Sequence, residues 1–270
     1  MILRIKNKLK RELLAFKNKV RIKERIVNFF YRYFDFKVIK SLKKNGVTNI
    51  SKINPARWHF GYRYYIGDYN DSKVFIKVNN KKSLLKHEHD VNLYISENSK
   101  LLSEITPKVY LYSEGKHFSY IVEEYLNAIK LCDLLNGGTD IDKEKIYIQF
   151  IDIIMELQKI KLFHLDINDD NIYIDKNNRA YITDFGYSLI KNSIDTSFIR
   201  TSKMQENIYK SINPDTRIDN GIIDDAYSIL VLSKKIDNDM IRNYHEYWEK
   251  MNQLSGKMIF NYMEIKNENK

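Results

Sequence analysis

The sequence predicts an α+β protein in two lobes, a small strand-rich one and then a reduced, mostly helical one, behind a basic amphipathic helical extension. Three observations predict it. Apolar and polar residues alternate through residues 63–78 and 108–126, with one helix-like stretch between them. From residue 145 onward, apolar runs with helical spacing dominate. Residues 1–49 carry 15 Lys and Arg against three acidic residues, a net of +12, whereas the whole chain of 270 residues is +10, so the remainder is close to neutral. The expected boundaries are therefore 1–49 for the extension, 50–125 for the first lobe and 126–270 for the second.

Composition narrows the class. Apolar residues make up 43% of the chain, which excludes a disordered or collagen-like protein. Cys132 is the only cysteine, so an intramolecular disulfide framework and a thiolate metal site are both excluded. It reads as a small buried residue.

In the extension, Ile2, Ile5, Leu9, Leu13, Phe16, Val20, Val27, Phe30, Phe34 and Val38 recur at helical spacings and predict one or two amphipathic helices. Two uses stand side by side: residues 1–45 rest on an anionic membrane surface, or the helix packs on the main domain with a solvated lysine face. No nucleic-acid motif accompanies the charge, so no nucleic-acid partner is expected. There is no run of about 18 apolar residues to span a bilayer. "IVNFFYRYFDF" is interrupted by Asn28, Arg32 and Asp35 and makes a poor signal-peptide core.

Next, "RYYIGDYNDSKVFIKV" reads as a hairpin turning at "GDYNDS". "KKSLLKHEHDVNLYISENSKLL" has a helix signature ended by Pro107, and "KVYLYSEGKHFSYIVEEYL" gives two strands around Glu114 and Gly115. "KIYIQFIDIIMELQKI" is a long apolar helix, "RAYITDFGYSLI" a strand and a turn, and "IIDDAYSILVLSKKI" a buried helix. Residues 236–270 complete the chain with one or two helices and a polar tail.

"FHLDINDDNIYID", residues 163–175, crowds carboxylate and amide oxygens into one turn. As a calcium loop it would place Asp166, Asn168 and Asp170 at the first, third and fifth ligand positions. It would then need Gly and Glu where Asn171 and Asn177 stand, and a helix where "IYIDKNNRAYIT" is strand-like. As a phosphotransferase loop it fits His-x-Asp-x4-Asn, with "TDFG" bringing Asp184 eighteen residues after Asp166.

On those motifs the chain resembles the protein-kinase-like superfamily, from about residue 50 to 235. "VFIK" resembles the strand lysine motif, "YIVEEYL" the adenine-holding hinge, and "DAYS" the opening of the buried helix under the catalytic loop. The resemblance implies a two-lobed kinase-like fold using ATP and Mg2+. Lys77 would hold the α and β phosphates, paired with Glu88 or its competitor Asp90. Glu124 to Leu126 would hold adenine, Asn171 and Asp184 the metal, and Asp166 the proton of the attacking hydroxyl. Asp225 would accept backbone hydrogen bonds from the loop. His164 reads as a brace rather than a base, and the remaining histidines show no metal spacing.

The departures define the subtype. "NPARWHFGYRYY" has only Gly61 where the nucleotide-covering loop carries several glycines, leaving a side chain such as Arg57 to contact phosphate. Leu165 replaces a common Arg, Asn168 a Lys, and no Ala-Pro-Glu follows the Asp-Phe-Gly. These losses resemble aminoglycoside phosphotransferase-like kinases and, more closely, the bacterial kinases of lipopolysaccharide-core sugars. The expectation is a cytoplasmic kinase, peripheral on the inner face of a membrane, acting on a hydroxyl of an envelope glycolipid or polysaccharide sugar. A minimal serine/threonine protein kinase and a nucleotide-binding pseudokinase are the rivals.

Overall fold

A computed structural model describes residues 35–53, 62–80, 82–191 and 222–261. Of the residues singled out above, those before Asp35, the Arg57 and Gly61 loop, and the polar tail beyond Asn261 lie outside the described residues. The described residues form two compact units: one holds those up to Leu85 together with Tyr110–Tyr125, the other Lys86–Val109 and those from Leu126 on.

The first unit is built on a five-stranded sheet. Its strands are β1 (Thr48–Ile53), β2 (Arg63–Tyr69), β3 (Ser72–Asn79), β4 (Val109–Glu114) and β5 (Ser119–Glu124), in the order β1-β2-β3-β5-β4. The predicted hairpin is β2–β3, with Asn70 and Asp71 at its turn both in the left-handed region that a short hairpin demands. β1 was not foreseen, because "NGVTN" reads as a turn. It pairs with β2 through a register shift between Thr48 and Ser51. Gly67 makes that approach possible: a Cβ there would lie 2.8 Å from the Thr48 carbonyl oxygen.

Alternation sends Tyr65, Val74, Ile76, Val78, Tyr120 and Val122 to one face of this sheet. Val38 and Leu42 of helix α1 (Phe36–Lys44) join the same core, so this last turn of the extension packs on the main domain. Polar ties fix it. Asn45 donates to the Tyr120 hydroxyl at 2.5 Å, and Asp35 accepts from the Tyr65 hydroxyl and pairs with Lys52 at 2.9 Å.

The helix expected over 81–102 is two helices, α2 (Lys82–Asn98) and α3 (Lys100–Ile105), of which the residues from Lys86 on belong to the second unit. Ser99 is extended, and its hydroxyl caps α3 by accepting from the Leu102 N–H. The second unit then adds α4 (Leu131–Gly137), α5 (Lys143–Lys159), α6 (Asp225–Ile236), α7 (Met240–Asn243) and α8 (His245–Leu254). Apolar faces of α5 and α6 meet in one core with Tyr147 stacked on Tyr247, ring centroids 4.4 Å apart.

Short ladders hang on that core: β6 (Ala128–Lys130), β8 (Ile172–Asp175) and β9 (Ala180–Ile182) in the order β6-β8-β9; β7 (Leu162–Phe163) with β10 (Leu189–Ile190); and β11 (Ile222–Asp224) with β12 (Ile259–Asn261). β7, β10, β11 and β12 are two or three residues long, too short to show a period in sequence. No helix among the described residues is long and apolar enough to cross a membrane.

Candidate active site

In the first unit Lys77 sits in β3 opposite Ile121 of β5. Residues two apart on a strand share a face, so Glu123 stands diagonally beside it, and the two charges pair at 3.6 Å. Both are almost wholly buried. Glu123 was missed in the sequence, because its relation to Lys77 exists only through strand register. Glu124 ends β5 and is exposed, Leu126 lies just past it, and the Tyr125 N–H between them donates to the Lys73 carbonyl.

The other nominated residues meet within the second unit. β7 delivers the chain into a loop whose backbone is anchored from below: the His164 and Leu165 N–H groups donate to the two carboxylate oxygens of Asp225 at 2.7 and 3.0 Å. Asp225 therefore has the role expected of it. Complete burial pushes its carboxyl up, the two N–H donors offset part of that, and the result is about 7. The preceding Asp224 caps α6 and also accepts from Ser255 and the Gly256 N–H.

His164 is buried with its ring against Phe185. Its Nδ1 accepts from the Asp166 N–H at 3.3 Å, so the proton sits on Nε2, which donates to the Thr183 carbonyl at 3.1 Å. Both nitrogens are occupied by structure, as a brace requires. Leu165 takes a left-handed backbone, φ +67°, while its side chain is buried in a small cluster with Phe163, Ile223, Met258 and Phe260.

Asp166 is held by its own sequence neighbours. Asn168 Nδ2 donates to the Asp166 carbonyl and to Oδ1, both at 3.0 Å; Asn171 Nδ2 donates to the same carbonyl at 2.9 Å and to Oδ2 at 3.0 Å. Asn168 keeps its orientation because its own oxygen accepts from the Asp170 N–H. Burial, and after it the charge of Asp184, push the Asp166 carboxyl up to about 8 against those two amide donors.

Asp184 is brought to this loop through the residue before it: the Thr183 N–H and hydroxyl both donate to the Asn171 carbonyl, at 2.9 and 3.2 Å. Asp184 itself has φ +66° and opens a 3-10 turn over Phe185–Tyr187, leaving its carboxylate exposed. A Cβ on Gly186 would lie 3.4 Å from Asp184 Oδ1 and 3.9 Å from Glu88 Oε2, ordinary contact distances that place both carboxylates beside this glycine. Glu88 is 2% exposed. One residue earlier on α2, His87 Nε2 donates to the Ser188 carbonyl at 2.7 Å, and the Ser188 hydroxyl donates to the His164 carbonyl. Asp90, the competitor, is exposed and pairs with Lys86 at 2.8 Å.

Cys132 is half-buried rather than buried. Its N–H donates to the Asp169 carbonyl, and burial, with Asp170 beside it, pushes the thiol up to about 11, so it carries no nucleophile.

The donor set suits Mg2+ rather than a metal caged by protein. Commitment of the Asn171 nitrogen to Asp166 leaves its amide oxygen, and Asp184 offers a carboxylate; hard oxygens of this kind leave the remaining positions to phosphate and water. No group of three or more His, Cys, Asp or Glu able to hold a metal occurs among the described residues.

The model of the ABC1 atypical kinase-like domain matches residues 72–217, more than half of the chain. Similar proteins include the probable serine/threonine protein kinase IRE4 of Arabidopsis thaliana, 31% identical over 60% of this chain and 15% of its own length. Another is the serine/threonine-protein kinase cek1 of Schizosaccharomyces pombe, 26% identical over 58% of this chain and 11% of its own. A third is the O-antigen chain terminator bifunctional methyltransferase/kinase WbdD of Escherichia coli, 28% identical over 50% of this chain and 20% of its own. The chain thus spans a fifth or less of the length of these relatives.

Proposed function

The chain belongs to the ABC1 atypical kinase-like domain family, and from that membership and the geometry around Asp166 we propose that it is an ATP- and Mg2+-dependent phosphotransferase acting on a hydroxyl. The observation that carries this reading is the two-amide clamp on Asp166 beside Asp184. A carboxyl pushed upward and fixed in place suits a group that orients and accepts the hydroxyl proton of the acceptor. Asn171 and Asp184 would hold Mg2+, which supplies charge neutralisation at the transferring phosphoryl group. Lys77, fixed by Glu123, would hold the α and β phosphates, and backbone groups from Glu124 to Leu126 the adenine. Phosphoryl transfer asks little covalent chemistry of a protein, so such positioning is most of the catalysis.

The acceptor we favour is a sugar hydroxyl of a cell-envelope glycolipid or polysaccharide such as lipopolysaccharide core. Asn168 clamps Asp166 where protein kinases place a lysine, and the similarity to a kinase named as an O-antigen chain terminator supports a saccharide. The basic residues 1–45 would keep the enzyme peripheral on the cytoplasmic face of a membrane, near such an acceptor. A protein acceptor is the second reading, supported by the relatives named serine/threonine kinases. Incubation with labelled ATP and either fractionated envelope glycolipid or a generic protein substrate separates them. Label in the glycolipid is the expected result. Label confined to protein rejects the sugar acceptor, and nucleotide binding with no label anywhere leaves a pseudokinase.

A further inference from the structure

A cleft of about 320 Å³ lies in the helical unit and is lined, among the described residues, by Gln158, Lys161, Lys191, Lys257 and Met258. We propose that it binds a phosphate group. The site is separate from the phosphotransfer residues and does not depend on their assignment.

Three lysines reach the cleft from three different elements. Lys161 follows the end of α5, Lys191 follows β10, and Lys257 lies between α8 and β12. Backbone bonds fix their origins: the Lys191 N–H donates to the Lys161 carbonyl at 2.8 Å, while Gln158 Nε2 and the Lys257 N–H both donate to the Leu254 carbonyl. Among the described residues, no Asp or Glu lines the cleft. Among the described residues none of the three ammonium groups has a hydrogen-bond or ion-pair partner, although Lys159, two residues before Lys161, is neutralised by Glu156 at 2.8 Å.

Lys161 also adopts φ +56°, a left-handed conformation at a helix end where glycine is the usual residue and a side chain costs about 1 kcal/mol. Attraction to the carbonyl end of α5 would explain one lysine there. It does not explain why two more arrive from elsewhere in the fold. Lys161, Lys191 and Lys257 are exposed, so solvent screens their mutual repulsion, but three like charges lining one space favour an anion in it. A phosphate monoester, with two charges and three terminal oxygens, matches three point-charge donors where a carboxylate does not.

The cleft is also spatially distinct. β7 and β10 run antiparallel, with Leu162 opposite Ile190 and Phe163 opposite Leu189. Lys161 and Lys191 leave one end of that two-residue ladder and the loop carrying Asp166 leaves the other, and among the described residues Asp166, Asn171 and Asp184 do not line the cleft. The volume falls at the lower end of small-molecule sites.

The test uses the full chain without nucleotide or metal, titrated with inorganic phosphate in a calorimeter against potassium chloride at matched ionic strength. Wild type should bind phosphate, and the Lys191→Gln/Lys257→Gln pair should bind at least about tenfold more weakly. Lys161→Gln is the independent variant, and far-UV circular dichroism checks that each variant folds. Two further arms distinguish the carrier of the phosphate: a hexose monophosphate in solution, and phosphatidylcholine vesicles with and without phosphatidic acid. Only the difference between wild type and variant counts with vesicles, because the basic residues 1–49 are common to both proteins. A loss confined to the hexose phosphate arm assigns a soluble ligand, and a loss confined to phosphatidic acid vesicles assigns a lipid headgroup. Equal responses of wild type and folded variants to all three probes, or an equal response to chloride, overturn the proposal.

Discussion

Lys77 and Asp166 are both held in place by polar partners, but by opposite means. In the sheet unit a partner of Lys77 is Glu123, 46 positions away in sequence and brought alongside by the β3–β5 register. In the helical unit Asp166 is gripped by Asn168 and Asn171, two and five positions further along one loop. The sheet fixes its lysine with many backbone bonds, so one side chain adds little. The loop has no such ladder, and the orientation of Asp166 rests on a few side chains. Perturbations should therefore be costly in the loop and mild in the sheet.

The largest effect should come from Asp166 itself. Asp166→Ala should lower turnover by about 10²–10⁴-fold with nucleotide binding retained, as measured by single-turnover kinetics alongside nucleotide titration. Asp184→Ala should instead weaken Mg-ATP binding. Equal turnover by wild type and Asp166→Ala would remove the phosphotransferase reading.

Asp225→Ala strikes the same loop from beneath. It would leave the buried His164 and Leu165 N–H groups without an acceptor, and should cost about 3 kcal/mol in denaturant unfolding. Asp225→Asn, which keeps one accepting oxygen, should cost less. If both variants unfold like wild type, the loop is held by something other than this carboxylate.

The upward push on Asp166 gives a prediction with a definite sign. The folded protein holds that proton more tightly than the unfolded chain, where the carboxyl titrates near 4. Its contribution to stability is therefore complete below pH 4 and is lost as the pH rises through about 8. Asp166→Asn does not titrate. Its amide nitrogen would face a donor from Asn168 or Asn171, so the readout is the slope: between pH 4 and pH 8 without metal, wild type should lose stability relative to the variant, by on the order of a few kcal/mol. A residual slope should remain from Asp225, which is pushed in the same direction.

Asn168→Ala removes one of the two amide donors and leaves Asn171 to hold the other oxygen. Turnover should fall by about tenfold while the KM for ATP stays within about twofold, since only orientation of Asp166 is altered. A change in KM with turnover intact would move Asn168 from positioning Asp166 to binding nucleotide.

This contrast also explains which parts of the molecule are legible in its sequence. His164, Asp166, Asn171 and Asp184 form a local pattern whose spacing is set by one loop and one short hairpin, so the sequence displays it directly. The long amphipathic elements β2, β3, α5 and α6 were legible for the same reason, being many residues of one period. Glu123 was hidden because strand register pairs residues far apart in the chain. His87 and Ser188 were hidden because a histidine donating to a backbone carbonyl leaves no motif. The break at Ser99 was missed, because the apolar run carries across it and Leu102 stands where a capping box would show Glu or Gln. The three-lysine cleft has no sequence signature, because Lys161, Lys191 and Lys257 converge only in the fold.

The smallest effect should be that of Glu123→Gln. At 3.6 Å the Lys77–Glu123 contact is longer than the 2.7–2.9 Å or so of a charge-assisted hydrogen bond, and the amide preserves shape and polarity. Pairing of Lys77 with Tyr64 on one side and Ile121 on the other keeps the lysine backbone in place regardless. The variant should lose less than about 1 kcal/mol in unfolding, far below the several kcal/mol for stripping a partner from a buried charge that depends on it alone. The KM for ATP should rise by no more than about threefold. A loss as large as that of Asp225→Ala would mean that the sheet does not hold Lys77 by register, and the contrast between the two units would fail at that residue.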